Sequence, residues 1–229
     1  MAIRVIKPGL QTTVQAGPRL GMRHLGVPAS GAADPLSLAL ANHLVGNPVL
    51  APALETTLTG VSLLFESRSF VAITGAKAKA RLNGDRIKLH RTIPVQAGDE
   101  LELGPAKASA RNYVAVAGAI DVDTVLGSES TYLPAGFGGH EGRALQADDI
   151  LATGTIAAEP EIRKTPKDFR PPAATSIALR ACHGAEIELL DKEGRFDLFD
   201  TNFVVGNRAD RMGMQFEGAS FRVGSAGQL

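Results

Sequence analysis

The chain has 229 residues, and its 24 lysines and arginines are matched by 24 aspartates and glutamates, so the formal charge is zero. That balance excludes a nucleic-acid binder driven by phosphate neutralisation, which needs a concentrated basic face. Hydrophobic residues at 44% and charged residues at 21% exclude wholesale disorder. With 25 glycines, 13 prolines and no tryptophan, many short elements joined by tight turns are expected, not a helical bundle. The length allows one large domain or two small ones.

In chain order, β-type runs bounded by Gly, Pro, Asn or Asp fall at 4–6, 62–66, 70–74, 79–82, 86–90, 100–103 and 112–117. Asn83-Gly84 separates two of them and readily adopts the positive φ angles of a type I′ turn, which predicts a hairpin. One helix is predicted over 35–45. Asp34 is a suitable N-cap, Pro35 suits the first helical position, Gly46 supplies a left-handed terminus and Pro48 stops continuation. Leu36, Leu40, Ala41 and Leu44 are expected to form its buried face.

A stretch rich in proline and charge, 157–174, reads as a linker. It divides a first β domain, 1–156, from a second, short β unit, 175–229. Further β-like runs are expected there at 177–182, 186–190, 202–205 and 220–223. Cys182, the only cysteine, excludes an internal disulfide, and its setting in IALRAC suggests a small buried hydrophobe. The N-terminus breaks at Pro8-Gly9 before reaching signal-peptide length, and no segment approaches the ~20 apolar residues of a membrane helix. The expected location is the cytoplasm.

Three polar segments could carry chemistry. The first, LGVPASGAAD at 25–34, leads straight into the helix, where exposed amides and the positive dipole end suit an anion. Ser30 could donate to a bound oxyanion; alternatively, Ser30 and Asp34 only cap the helix. The second, YLPAGFGGHEGR at 132–143, carries Gly136, Gly138, Gly139 and Gly142 beside His140, Glu141 and Arg143. Glycines allow close backbone approach, Glu141 or His140 could move a proton, and Arg143 could clamp a carboxylate. The alternative is a tight connection with Arg143 in an ion pair. The third, NRADRMG at 207–213, places Asp210 and Arg211 in a polar turn. The histidines show no metal-ligand spacing, and no Walker A loop, Rossmann fingerprint or Gly-x-Ser-x-Gly elbow occurs.

Taken together and in order, GLQTTVQ (9–15), RHLGVPASGAADPLSLALANHLVGNP (23–48), ALETTLTG (53–60), AITGA (72–76), STYLPAGFGGHEGRALQADD (130–149) and ADRMGMQFEG (209–218) are more specific than any one alone. They resemble the allophanate-hydrolase subunit 2 family, also called biotin-dependent carboxyltransferase, the C subunit of 5-oxoprolinase, or KipI antagonist. The resemblance implies a mainly β protein of tandem cyclophilin-like β-barrels, the second apparently short or incomplete.

It also implies a KipI-like partner (allophanate hydrolase subunit 1, the B subunit of 5-oxoprolinase) and a third, LamB/YcsF-type partner. Together these open 5-oxoproline to glutamate with ATP, while fused relatives carry a carboxyl group from carboxybiotin to urea, and a related protein counters a kinase inhibitor. No tightly bound cofactor is expected in this chain. ATP would serve the complex, and carboxybiotin would visit on its carrier. On this reading Asp34, Glu55 or Glu141 could serve as the base, and Glu55, Glu141 and Asp210 are the catalytic candidates. Ser30, Asp34, Gly136, Gly138, Gly139, Arg143 and Arg211 bind an amide or ureido substrate, with loop amides receiving the oxyanion. The chain departs from the family pattern in three places. Ala16-Gly17-Pro18-Arg19 replaces Asp-x-Gly-Arg, so that the acid is lost and Arg19 reads as displaced; Lys77 stands for an acid and Ala209 for a serine. Those losses favour the alternative of a regulatory, partner-binding protein.

Overall fold

The computed structural model describes residues 1–156, 158–171, 176, 178–209, 211, 213–218 and 221. Two compact units are present, Met1–Thr175 and Ser176–Leu229.

The first unit contains β1 (Ala2–Lys7), β2 (Gln11–Gln15), α1 (Pro35–Leu44), β3 (Ala53–Thr57), β4 (Ser62–Phe65), β5 (Ser69–Lys77), β6 (Ala80–Leu82) and β7 (Asp85–Ile87). It continues with β8 (Ile93–Val95), β9 (Glu100–Leu103), β10 (Lys107–Val116) and β11 (Ile150–Ala152). Two antiparallel sheets result, in the orders β11-β1-β4-β9-β6-β7 and β2-β3-β10-β5-β8. Both sheets contribute to one apolar core: Ile3, Val5, Leu63 and Leu101 from the first, Val14, Leu54, Ile73 and Val114 from the second. The mainly β expectation holds. Asn83 and Gly84 join β6 to β7 at φ 53° and 84°, the turn the dipeptide predicts.

Helix α1 covers the outer face of the five-stranded sheet, packing Leu38, Ala41 and Leu44 on Ala53, Phe70, Ala72, Tyr113 and Ala115. Its start follows from sequence: Asp34 Oδ1 accepts the Ser37 N–H at 3.0 Å, and Pro35 needs no donor at the first position. Its buried face differs from the expected leucine stripe. Ser37, Leu38, Ala41, Asn42 and Leu44 are buried, whereas Leu36 is 54% exposed. Polar members of that face are satisfied: Ser37 O accepts from Thr74 Oγ1, and the Asn42 amide donates to Val49 and Ala51 carbonyls.

Four expectations are corrected. The stretch read as a linker is docked on the first unit: Thr165 N donates to His90 O, Thr92 N to Arg163 O, and Arg91 bridges to Lys164. Proline removes regular strand there, but the remaining backbone groups still need partners. In the second unit, the β run expected at 186–190 is instead a 3-10 helix, Ala185–Leu189. It is followed by an unanticipated α2 (Lys192–Asp200), capped by Asp191 on Gly194 N, and by the hairpin β12 (Val204–Ala209) and β13 (Met214–Glu217). Residues 178–182 form no strand, and Cys182 is exposed, not buried. Most of the run expected at 220–223 lies outside the described residues.

Candidate active site

The site grows from a polar row across the five-stranded sheet. Thr13 pairs with Glu55, Glu55 with Tyr113, and Tyr113 with Thr74, each a direct cross-strand neighbour. Alternation puts this row on the face that carries α1, level with the helix start. Glu55 is 1% exposed and Tyr113 wholly buried. Glu55 Oε2 accepts the Tyr113 O–H at 2.7 Å and the Ala33 N–H at 2.9 Å, and the Tyr113 oxygen accepts the Asp34 N–H at 2.7 Å. Arg111 Nε stands 3.9 Å from Glu55. Burial, reinforced by the Glu55 charge, pushes the Tyr113 phenol well above its usual pKa, so it remains a donor.

The first polar segment is therefore held from below. Its amides are already spoken for: Ala33 by Glu55, Asp34 by Tyr113, Ser37 by Asp34, and Ala32 by the Ala16 carbonyl. The reading of this helix start as an open cradle of amides is corrected on that ground. Asp34 spends its carboxylate on the cap, with Oδ2 accepting from Ser37 Oγ at 2.5 Å. What remains is Ser30, held at φ 51°, whose Oγ is buried with no hydrogen-bond partner. Glu55, proposed as base, is enclosed and acts as the anchor of this loop.

The glycine-rich segment is similarly internal. Gly136, Gly138, Gly139 and Gly142 all take positive φ, from 57° to 71°. The amides of Gly136, Gly139 and Gly142 donate to Leu133, Glu129 and Gly138 carbonyls. The Arg143 fork is filled: its Nη1 and Nη2 each lie 2.8 Å from an Asp149 oxygen, and Glu141 Oε2 lies 2.6 Å from Nη2. The expected carboxylate clamp is an ion-pair hub, and Glu141 is drawn into it. Hydrogen bonds from Arg143 hold Asp149 down from 3.8 to about 2. The pairing thus stabilises the fold above pH ~4 and is lost as the pH falls from 3.8 toward 2. Asp149→Asn is expected to lower the unfolding midpoint near neutrality, and the gap to the unsubstituted chain is expected to close by about pH 2; acid titration of both chains by circular dichroism checks this. Beside this hub a cleft of about 280 Å³ is lined by Asp121, Asp123, His140 and Glu141, an acidic wall unsuited to an anion.

The two segments meet at a residue sequence reasoning passed over. Arg19 is 1% exposed. Its backbone N–H donates to Ala29 O, in the first segment, at 2.5 Å. Its side chain runs to the stretch that leads into the second: Nε donates to Val125 O at 2.9 Å, and Nη2 to Ser128 O at 3.3 Å and Ser130 O at 3.0 Å. The Phe137 ring lies 4.9 Å from Arg19 Cζ. A methyl group at Gly138 would stand 3.1 Å from Nη2, so the glycine loop rests directly on the guanidinium. Arg19 is not displaced: residues 16–19 align with the Asp-x-Gly-Arg pattern without a gap, with Ala16 for the acid, Pro18 for the glycine and the arginine kept at 19. Arg211 belongs to the second unit, and Asp210 lies outside the described residues. Among the described residues, no group of three His, Cys, Asp or Glu side chains is placed to hold a metal ion, and no helix is long and apolar enough to cross a membrane.

The pattern described as carboxyltransferase domain, subdomain A and B, matches residues 25–227. The chain belongs to this family. It is 36% identical over 216 residues to the C subunit of 5-oxoprolinase from Escherichia coli (strain K12), covering 94% of this chain and 68% of that protein. It is 41% identical over 151 residues to urea amidolyase of Saccharomyces cerevisiae, covering 66% of this chain and only 8% of that much longer protein. Among solved structures, the K. lactis urea amidolyase superposes with a TM-score of 0.85 at 32% identity, over 97% of this chain and 14% of that one. TTHA0988 superposes with a TM-score of 0.83 at 32% identity, over 97% of this chain and 80% of that one. In the urea amidolyases the matched region is a small part of a much longer protein.

Proposed function

We infer that the chain is the C subunit of a 5-oxoprolinase, one component of an ATP-dependent assembly that opens 5-oxoproline to glutamate. The observation that carries this reading is the junction of the two polar segments on one buried arginine, through its backbone N–H to the first and its guanidinium to the second, in a chain similar to the C subunit of 5-oxoprolinase over 94% of its length. Opening the lactam breaks its C–N bond, adds water at the carbonyl carbon and gives a proton to the departing amine. Negative charge develops on the carbonyl oxygen, where a positioned donor is typically worth ~3 kcal/mol. Ser30, with its buried and unpartnered hydroxyl, is that donor. Glu55, Asp34, Gly138 and Gly139 hold the two loops in place. With Glu55 enclosed and Glu141 ion-paired, neither is the base; Asp210 and Arg211 are kept as candidates from the sequence pattern alone.

ATP belongs to the complex, and its phosphates are handled by partner chains, one KipI-like and one of LamB/YcsF type. Large apolar side chains exposed on the second unit, among them Phe196, Phe199, Val205 and Phe216, support an assembly that covers them. The assembly is cytoplasmic in this reading. The similarity to urea amidolyase favours a second reading, in which the same site accepts a carboxyl group from carrier-borne carboxybiotin and passes it to urea. Combining the chain with its KipI-like and LamB/YcsF-type partners and following glutamate release from 5-oxoproline and ATP tests the first; carboxylation of urea by carboxybiotin tests the second. Glutamate release that needs all three chains is the expected result. A tight complex with the KipI-like partner and no turnover of either kind would favour a regulatory protein instead.

A further inference from the structure

Arg19 offers five N–H donors, and only three are used. Nε and Nη2 are fixed by the carbonyls of Val125, Ser128 and Ser130, all neutral acceptors. Nη1, fully buried, has no hydrogen-bond partner. No carboxylate lies within ion-pair distance among the described residues, in contrast to Arg143, whose fork is filled by Asp149 and Glu141. A guanidinium cannot discharge itself by losing its proton, so an enclosed one without a counter-charge is held at a free-energy cost. Three carbonyl bonds and the Phe137 ring fix its orientation while leaving its charge uncompensated. An anion with a planar pair of oxygens supplies both the missing acceptor and the missing charge.

We propose that Arg19 is the substrate-carboxylate receptor of this site, with Nη1 donating to one oxygen of a carboxylate that enters beside the Phe137–Gly138 loop. The inference rests on the reading of the site as one for a small amide or ureido substrate, and it moves the anion contact from Arg143 to Arg19. Two ligands share this chemistry: 5-oxoproline through its own carboxylate, and carboxylated urea through the group transferred. Each has an uncharged counterpart, 2-pyrrolidinone and urea.

Calorimetric titration of the full chain, alone and with its partner chains, separates these cases. Binding of 5-oxoproline without binding of 2-pyrrolidinone is expected, and binding of carboxylated urea without urea marks the second source. Arg19→Gln is expected to weaken the carboxylate roughly 10- to 100-fold, the range for losing a charge-assisted hydrogen bond to a buried group; Arg19→Lys is expected to recover part of it. Should Arg19→Gln not fold, the unsubstituted protein still decides: the ¹⁵Nε–H resonance of Arg19 must move when the carboxylate is added and stay when its uncharged counterpart is. Unchanged affinity in a folded Arg19→Gln, no binding of either carboxylate, or a stationary Arg19 resonance at saturation would overturn the proposal. Glutamate release with carboxylate affinity indifferent to Arg19 would sink this inference and leave the enzymatic reading standing. Arg19-dependent binding without turnover would do the reverse.

Discussion

Glu55→Ala is expected to lower the stability of the first unit by about 3 kcal/mol, the order found when one member of a buried polar cluster is removed. The buried Glu55 carboxylate accepts from the equally buried Tyr113 Oη and from Ala33 N, and faces Arg111. Alanine leaves that hydroxyl and that amide without their acceptor at once. The effect should reach the site, because Ala33 and Asp34 end the segment that carries Ser30. Hydrogen exchange at those two amides is expected to accelerate along with the loss in urea midpoint. Glu55→Gln keeps one acceptor oxygen and is expected to fall between the two. A change below 1 kcal/mol, or amides that exchange as slowly as before, would mean that the loop is held by something other than this cluster. A solvent-facing base would behave differently: its removal would abolish turnover with little loss of stability.

Local rules carried most of the first unit. Helix α1 begins at an aspartate cap with proline behind it and ends before a left-handed glycine; the Asn83-Gly84 turn needs only two residues. Strands with ordinary alternation, such as β4 and β9, are also legible. Strands β2 and β3 were not, and they build the site. Their residues, QTTVQ and ALETT, are polar yet buried, because one sheet face meets the core and the other meets α1 and the polar loops. A pattern rule equates polar with exposed and so passes over them. The second unit misled for the opposite reason. Glu186, Ile187, Glu188 and Leu189 alternate as a strand would, but Gly184 and Asp191 bound a 3-10 helix that leads to α2.

At the site, the sequence located the two segments and misjudged what they do. Glycine-rich loops advertise free amides only if nothing in the protein takes them, and that depends on distant partners such as Glu55 and Tyr113. Arg143 was conspicuous because it closes the glycine run, yet Asp149, six residues on, fills its fork. Arg19 was inconspicuous because its partners, Val125, Ser128 and Ser130, are more than a hundred residues away and act through carbonyls that any residue type could offer. The only local signal was its position in the Asp-x-Gly-Arg pattern, where the change at Ala16 drew attention away from the retained arginine.

The glycine run allows a sharper test of that junction, because two of its members share a backbone conformation but not their surroundings. Gly136 has φ 64° and nothing within 4 Å of where a methyl group would stand. Gly138 has φ 71°, but there a methyl would lie 2.3 Å from Ser130 O and 3.1 Å from Arg19 Nη2. Gly136→Ala therefore measures backbone strain alone, roughly 1–2 kcal/mol for an L-residue in the left-handed region. Gly138→Ala adds a steric overlap with a carbonyl that itself accepts from Arg19, and relief requires the loop and the guanidinium to part. A further ~1–3 kcal/mol is expected from that overlap. Urea unfolding of the two variants gives the difference directly, and the Arg19 ¹⁵Nε–H resonance should shift in Gly138→Ala while staying in place in Gly136→Ala. Equal losses in both variants, with an unmoved resonance, would mean that the glycine loop does not rest on Arg19, and the junction of the two polar segments would be lost with it.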